Sequence, residues 1–405
     1  MSHYNTSSAA VGETPQASTL WLAFILGSLA AFGPLSIDMY LPALPALAID
    51  LQATTSLTQL SLTACLLGIA LGQIFAGPIS DIRGRRGPLL IGLILYVISS
   101  LLCVVSSSMW MFILMRFVQG LAGSVGIVIA RAAVRDLYSG SEMTRFFSLL
   151  MLINGVAPIM APIFGGQILQ FSSWRGVFVA LAAVGTIMLF TVLWGFRETL
   201  APSMRSKAAL TSVLKTFRAL LANGKFMGYS LAQGFVTAAM FAYISGSPFV
   251  LQNIFQVSPQ KFSLLFGING VGIIIASQLT GRLAGRIREA TLLAAGLSIA
   301  FVSSLVLLAA IILDGGLYSV LIPLFFVVSS VGIVGTSSFS LAMQDQAKAA
   351  GSASALIGLL SFVLGGIMAP FVGLAGSHSA LPMGLIIALA NTAAVLSYWL
   401  LARNK

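Results

Sequence analysis

Two residues of opposite charge are the only formally charged ones well inside the long apolar stretches of this chain. Asp38 lies in the first long apolar segment, inside Pro34-Leu35-Ser36-Ile37-Asp38-Met39-Tyr40-Leu41-Pro42-Ala43-Leu44-Pro45, and Arg116 lies in the fourth. An ionised side chain at the middle of a membrane span costs on the order of 3 kcal/mol on insertion scales, so it is retained for pairing, proton transfer or ligand binding. A carboxylate there can carry a proton, and a nearby guanidinium, which stays charged, can govern when it does. Three prolines within twelve residues break or bend the helix around Asp38. Freed backbone is tolerated at that depth only where neighbouring helices enclose it, commonly around a polar cavity.

Other chemistries lack their parts. The histidines are His3, in the polar N-terminal stretch, and His378, near the outer loop before the last segment, so no histidine-based triad or metal site can be built within the membrane. Cys65 and Cys103 sit inside apolar segments without metal-ligand spacing and read as packing residues. No Walker loop is present, which excludes ATP as the energy source. The chain is therefore not expected to be an enzyme, and no cofactor or metal is expected.

The elements that must position Asp38 and Arg116 follow from composition. The chain has 405 residues, 58% hydrophobic and 8% charged, with a mean hydropathy of +1.01; a soluble domain is nearer a quarter charged. This is an all-α integral membrane protein. Twelve apolar segments can be drawn, at 20–47, 57–79, 88–106, 109–131, 145–170, 174–196, 226–251, 263–283, 291–313, 318–341, 351–375 and 380–402. Of the 21 Lys and Arg, 18 fall on one side when the N-terminus is placed there; Arg175 and Lys261 fall on the other and Arg116 lies within a span. That asymmetry places both termini in the cytoplasm. The net charge of +11 is spread through the gaps between segments, not patterned for nucleic acid. Residues 1–19 are expected to form a disordered cytoplasmic tail, 20–196 one six-helix bundle, 197–225 a basic cytoplasmic linker and 226–405 a second bundle.

A faint repeat supports the two halves. Gly77-Pro78-Ile79-Ser80-Asp81-Ile82-Arg83-Gly84-Arg85-Arg86, after the second segment, has a degraded counterpart after the eighth, Gly281-Arg282-Leu283-Ala284-Gly285-Arg286-Ile287-Arg288. Two pseudo-symmetric six-helix bundles with a site between them is a transporter arrangement. The plainer reading is that two short loops both needed Gly and Arg.

Five motifs in order then carry a resemblance over nearly the whole chain. They are Asp38-Met39-Tyr40-Leu41-Pro42-Ala43-Leu44-Pro45; Gly77-x-x-Ser80-Asp81-x-x-Gly84-Arg85-Arg86; Arg116-x-x-Gln119-Gly120; Ala157-Pro158-Ile159-Met160-Ala161-Pro162-Ile163-Phe164-Gly165-Gly166; and Trp174-Arg175 with Arg197-Glu198-Thr199-Leu200. The sequence resembles the major facilitator superfamily and, within it, the twelve-span drug:H⁺ antiporters of the Bcr/CflA type. Ala157 and Ala161 stand where that pattern more often has glycine. The resemblance implies a proton-coupled, multidrug-type exporter of small amphipathic drugs or metabolites in the bacterial inner membrane. It would work as a monomer by alternating access, with lipid and protons as its other partners. An importer or facilitator of a small nutrient is the alternative.

Roles can be set beside the resemblance. Asp38 and Arg116 each lie on the order of 10–14 Å below the same surface at 1.5 Å per residue, so they can pair directly or through water. Asp38 then reads as proton carrier with Arg116 tuning it, or the two form a fixed pair locking the first segment to the fourth. Gly77, Asp81, Gly84, Arg85 and Arg86 read as a cytoplasmic latch; the family implies that Asp81 engages the start of the eleventh segment near Gly351-Ser352, with the arginines pairing to Asp136, Glu142 or anionic lipid. Gly155, Pro158, Pro162, Gly165 and Gly166 mark a bent, closely packed fifth helix, which the family associates with export. Tyr40, Gln119, Asn154, Met160, Gln233, Phe241, Tyr243, Asn269, Gln278 and Gln344 are the expected substrate-cavity residues, aromatic, thioether and amide groups suited to bulky, partly apolar ligands.

Overall fold

The computed structural model describes residues 16–205, 210–346 and 350–403. Among these, twelve helices are long and apolar enough to cross a membrane. They are span 1 (Trp21–Asp50), 2 (Thr55–Arg83), 3 (Arg86–Val104), 4 (Met109–Leu137), 5 (Arg145–Phe171), 6 (Trp174–Gly195), 7 (Gly224–Ile254), 8 (Pro259–Leu283), 9 (Glu289–Ile312), 10 (Leu317–Met343), 11 (Ser352–Gly373) and 12 (Leu381–Ala402). The turns joining spans 2–3, 4–5, 8–9 and 10–11 define one end, which carries most of the arginines and is called the basic end below.

Three boundaries depart from the sequence expectation. Helix begins at Gln16, so residues 16–19 are not tail; residues 1–15 lie outside the described residues. The 197–225 linker contains a helix of its own, Leu210–Ala222, with Leu220 buried among Phe226, Tyr229 and their neighbours. Span 4 runs to Leu137 rather than ending at Arg131. Ala132, Ala133 and Val134 are buried and carry the helix on, so Arg131 belongs to the span.

The two halves repeat one packing scheme. Spans 2, 3 and 6 of the first half pair as 2–4, 3–4 and 3–6, and the second half pairs as 8–10, 9–10 and 9–12. Between halves, span 5 packs on span 8 and span 11 on span 2, which are symmetry mates. The loop repeat is structural as well: Gly84 and Gly285 have φ of 89° and 84° at equivalent turns. Only glycine adopts that backbone without strain.

Span 1 is broken where its prolines predict. It runs as helix to Ala30, resumes over Phe32–Asp38, passes through a 3₁₀ turn at Leu41–Ala43 and continues as Leu44–Asp50. Pro34 offers no N–H to the Ala30 carbonyl and Pro42 none to Asp38. Close helix approach seals this break: a Cβ on Gly165 of span 5 would meet the Met39 carbonyl. Span 5, by contrast, remains one continuous helix through Pro158 and Pro162.

The halves meet at the end opposite the basic one. Five hydrogen bonds join them there: Ser56 to the Pro370 carbonyl at 2.7 Å, Gln59 to Ser245 at 3.0 Å, Thr63 to Gly366 at 2.7 Å, Gln252 to Pro42 at 3.1 Å and Gln260 to Gly166 at 3.1 Å. Toward the basic end, no hydrogen bond or ion pair joins the halves among the described residues.

Candidate functional site

The break in span 1 sorts neighbouring side chains onto opposite sides. Ser36 and Tyr40 turn into the first bundle and Asp38 turns to the interface between halves. Asp38 is 5% exposed and borders a cavity of about 380 Å³, a size suited to a small-molecule ligand. No hydrogen bond or ion pair reaches its carboxylate among the described residues. Around it, the cavity wall is mostly apolar: Ile37, Ile69, Met240, Phe241, Phe266, Val328 and Phe362, with Gln73, Asn154, Tyr243 and Asn269 as polar groups. The Asn269 amide donates to the Tyr243 hydroxyl at 2.8 Å, and Tyr243 stacks on Phe266 at 5.5 Å.

Arg116 stands behind this wall, fully buried. Its Nη2 donates to the Ser36 carbonyl at 2.6 Å and its Nη1 to the Gln119 side-chain oxygen. Gln119 in turn donates to Ser100 at 2.7 Å. The guanidinium lies 4.2 Å from the Tyr40 ring centroid, an arrangement that offsets part of the burial cost through cation–π attraction. Tyr40 completes the cluster by a 3.2 Å bond to Ser61. Of the expected pairing, direct or through water, no direct ion pair is made among the described residues: Arg116 grips the helix on either side of Asp38, through residues 36 and 40, and leaves the carboxylate to the cavity.

The cavity expectation divides in the same way. Asn154, Phe241, Tyr243 and Asn269 line it. Tyr40 and Gln119 do not, because Arg116 holds both inside the bundle. Met160 is 37% exposed on the outer surface of span 5. Gln344 is exposed at the basic end and donates to Glu289 at 3.0 Å. Gln233 is half-buried away from the cavity, its side-chain oxygen lacking a partner, and Gln278 is exposed. Amide and thioether types alone do not say which face of a helix they occupy. Missed by the sequence reading were Gln73 and Arg131, both on the cavity wall; the uninterrupted Ala132-Ala133-Val134 run after Arg131 was the available signal.

The basic-end motif forms a clasp within one half. Arg85, 4% exposed, bonds Asp81 at 2.5 Å, Asp136 at 2.8 Å and Ser80 at 2.8 Å. Glu198 accepts from the backbone N–H groups of Arg85 at 2.8 Å and Arg86 at 3.3 Å. Burial would raise the Glu198 carboxyl, but the N–H groups of Arg85, Leu200 and Arg86 outweigh it and hold the group below the usual carboxylate range. Gly84 allows this approach, since a Cβ there would meet the Glu198 carboxylate. Gly77 stands seven residues earlier, its Cβ position 4.0 Å from Val128, and its carbonyl accepts from Ser80. The expected partner of Asp81, the start of span 11 near Gly351-Ser352, adjoins residues 347–349, which lie outside the described residues; among the described residues the Asp81 carboxylate pairs with Arg85. At the opposite end, Asp50 closes span 1 onto span 6 through Trp174 at 3.0 Å and Arg175 at 2.5 Å.

A two-fold related pair of six-helix bundles, closed at one end over an interfacial cavity, defines a secondary-transporter architecture. The model described as Major Facilitator Superfamily matches residues 21–370, and the chain belongs to that superfamily. It is 45% identical over 388 residues to the MFS-type transporter YdgK of Bacillus subtilis, covering 95% of this chain and 96% of the relative. It is 31% identical over 390 residues to a bicyclomycin resistance protein homolog of Haemophilus influenzae, covering 96% and 98%. The multidrug transporter MdfA of Yersinia pestis is 28% identical over 265 residues, 64% of each chain. Among solved structures, a D-xylose–proton symporter superposes with a TM-score of 0.74 at 14% identity, covering 97% of this chain and 100% of that one. A bacterial homolog of the lysosomal transporter Spinster gives 0.73 at 18%, covering 97% and 98%.

Proposed function

We propose that this transporter is a proton-coupled exporter of small amphipathic drugs or metabolites, acting as a monomer in the bacterial inner membrane with its basic end in the cytoplasm and the proton gradient as its energy source. One observation carries the reading: Asp38 faces the ligand cavity with no protein partner. A buried carboxylate that no side chain neutralises is neutralised by a proton or by a ligand's cation or N–H donor. Proton and substrate then compete for one group, which is the coupling an antiporter needs. Similarity to a bicyclomycin resistance homolog and to MdfA supports export rather than uptake. On this reading residues 20–196 and 226–405 rock about the linker at 197–225. The described state, with its halves hydrogen-bonded at the opposite end, receives substrate from the cytoplasm.

Transport in proteoliposomes tests the proposal. An imposed pH gradient should drive drug accumulation by the wild type, and Asp38→Asn should abolish the gradient's effect. Proton-driven exchange by Asp38→Asn at the wild-type stoichiometry would refute it, and accumulation of substrate inside intact cells would favour the importer.

A further inference from the structure

The cavity holds a second unpaired charge. Arg131 lines it, is exposed, and has no hydrogen-bond or ion-pair partner among the described residues. Among the described residues, Asp38 and Arg131 are the only formally charged ones on the cavity wall. Gly33 of span 1 lies against Ile127 of span 4. Asp38 stands five residues outward of Gly33, and Arg131 four residues inward of Ile127, so at 1.5 Å per residue their backbones are offset by roughly 13 Å along the bundle axis. Between them the wall is apolar and aromatic, with Met240, Phe241 and Phe266 from the second half.

Resting on the export reading above and naming its ligand class, we propose that the cavity takes amphipathic zwitterions lengthwise. The anionic group meets Arg131 at the basic end, the cationic or N–H end meets Asp38, and the apolar body lies along Phe241 and Phe266. A guanidinium bound to a carboxylate makes charge-assisted, often bidentate hydrogen bonds. Arg131 therefore selects for an anionic group at entry, while Asp38 serves the opposite end.

Equilibrium binding to the purified full chain in detergent tests this without any proton gradient, so its result is independent of whether transport is proton-coupled. The probes are norfloxacin, a zwitterion with an aromatic body, and its methyl ester, which keeps the amine and loses the carboxylate. Wild type should prefer the acid by about tenfold, the value of one charge-assisted contact. Arg131→Gln should collapse that ratio to near one, and Arg131→Lys should retain part of it. Equal affinity of the wild type for acid and ester would overturn the proposal. So would an Arg131→Gln variant that weakens both probes alike and leaves the ratio intact.

Discussion

At the scale of single residues, the first span separates two jobs that its sequence packs into five positions. Ser36 and Tyr40 belong to Arg116, and Asp38 belongs to the cavity. This separation predicts opposite stability signatures. Arg116→Ala strips the Ser36 carbonyl, Gln119 and Tyr40 of their shared partner and should destabilise the folded protein by about 3 kcal/mol. Asp38→Asn removes a carboxylate that no protein group satisfies, so it should leave stability unchanged or raise it. Thermal unfolding of the two detergent-solubilised variants measures the difference. Equal destabilisation would instead mean that the two residues lock spans 1 and 4 as an ion pair.

At the scale of elements, span 5 makes close helix contacts both within its own half and across the interface. Gly165 abuts the Met39 carbonyl at the break of span 1, and Gly166 lies against Ser263 and Pro259 of span 8. Small residues let membrane helices approach until backbone meets backbone. Gly165→Val should therefore push span 5 off the break and lower stability by about 2 kcal/mol, within the range for overpacked sites. Gly281→Ala is the control. That glycine ends span 8 with nothing within 4 Å of its Cβ position, so the change should stay within about 0.5 kcal/mol. Unfolding midpoints of both variants, read beside wild type, check the contrast.

At the scale of the whole molecule, closure at one end rests on a few bonds between halves. Gln59 and Gln252 supply two of the five, each worth about 1 kcal/mol net. Replacing both with alanine should shift the balance of closed and open states at that end by about tenfold or more. Spin labels on Gln167 of span 5 and Lys261 of span 8, both exposed at that end, should then report a new population at longer distance. The clasp around Arg85 stays within the first half in this state, so the double variant should leave its geometry intact. Asp81 is half-exposed and pairs with Arg85 among the described residues.

By itself the sequence determined the membrane class, the number of spans, their order and the place of the break in span 1. Each of these follows from local physics: apolar run length, the missing proline N–H, and the clustering of arginine at one end. It also marked Asp38, Arg116, Asp81 and Arg85 as residues whose charge needed a reason. Only the tertiary structure decided which partner each one takes. Asp38 and Arg116 share a depth, yet the turn at Met39-Tyr40 rotates one to the cavity and leaves the other to grip backbone and ring. Met160 and Gln344 have suitable chemistry but the wrong helix face, and face is set by packing against helices far along the chain; Gln233 shares the face of Met240 but lies two turns nearer the basic end, off the cavity wall. Arg131 was read as the end of span 4 because a charge suggests a membrane boundary. The fold instead carried the helix past it and brought the arginine to the same cavity as Asp38.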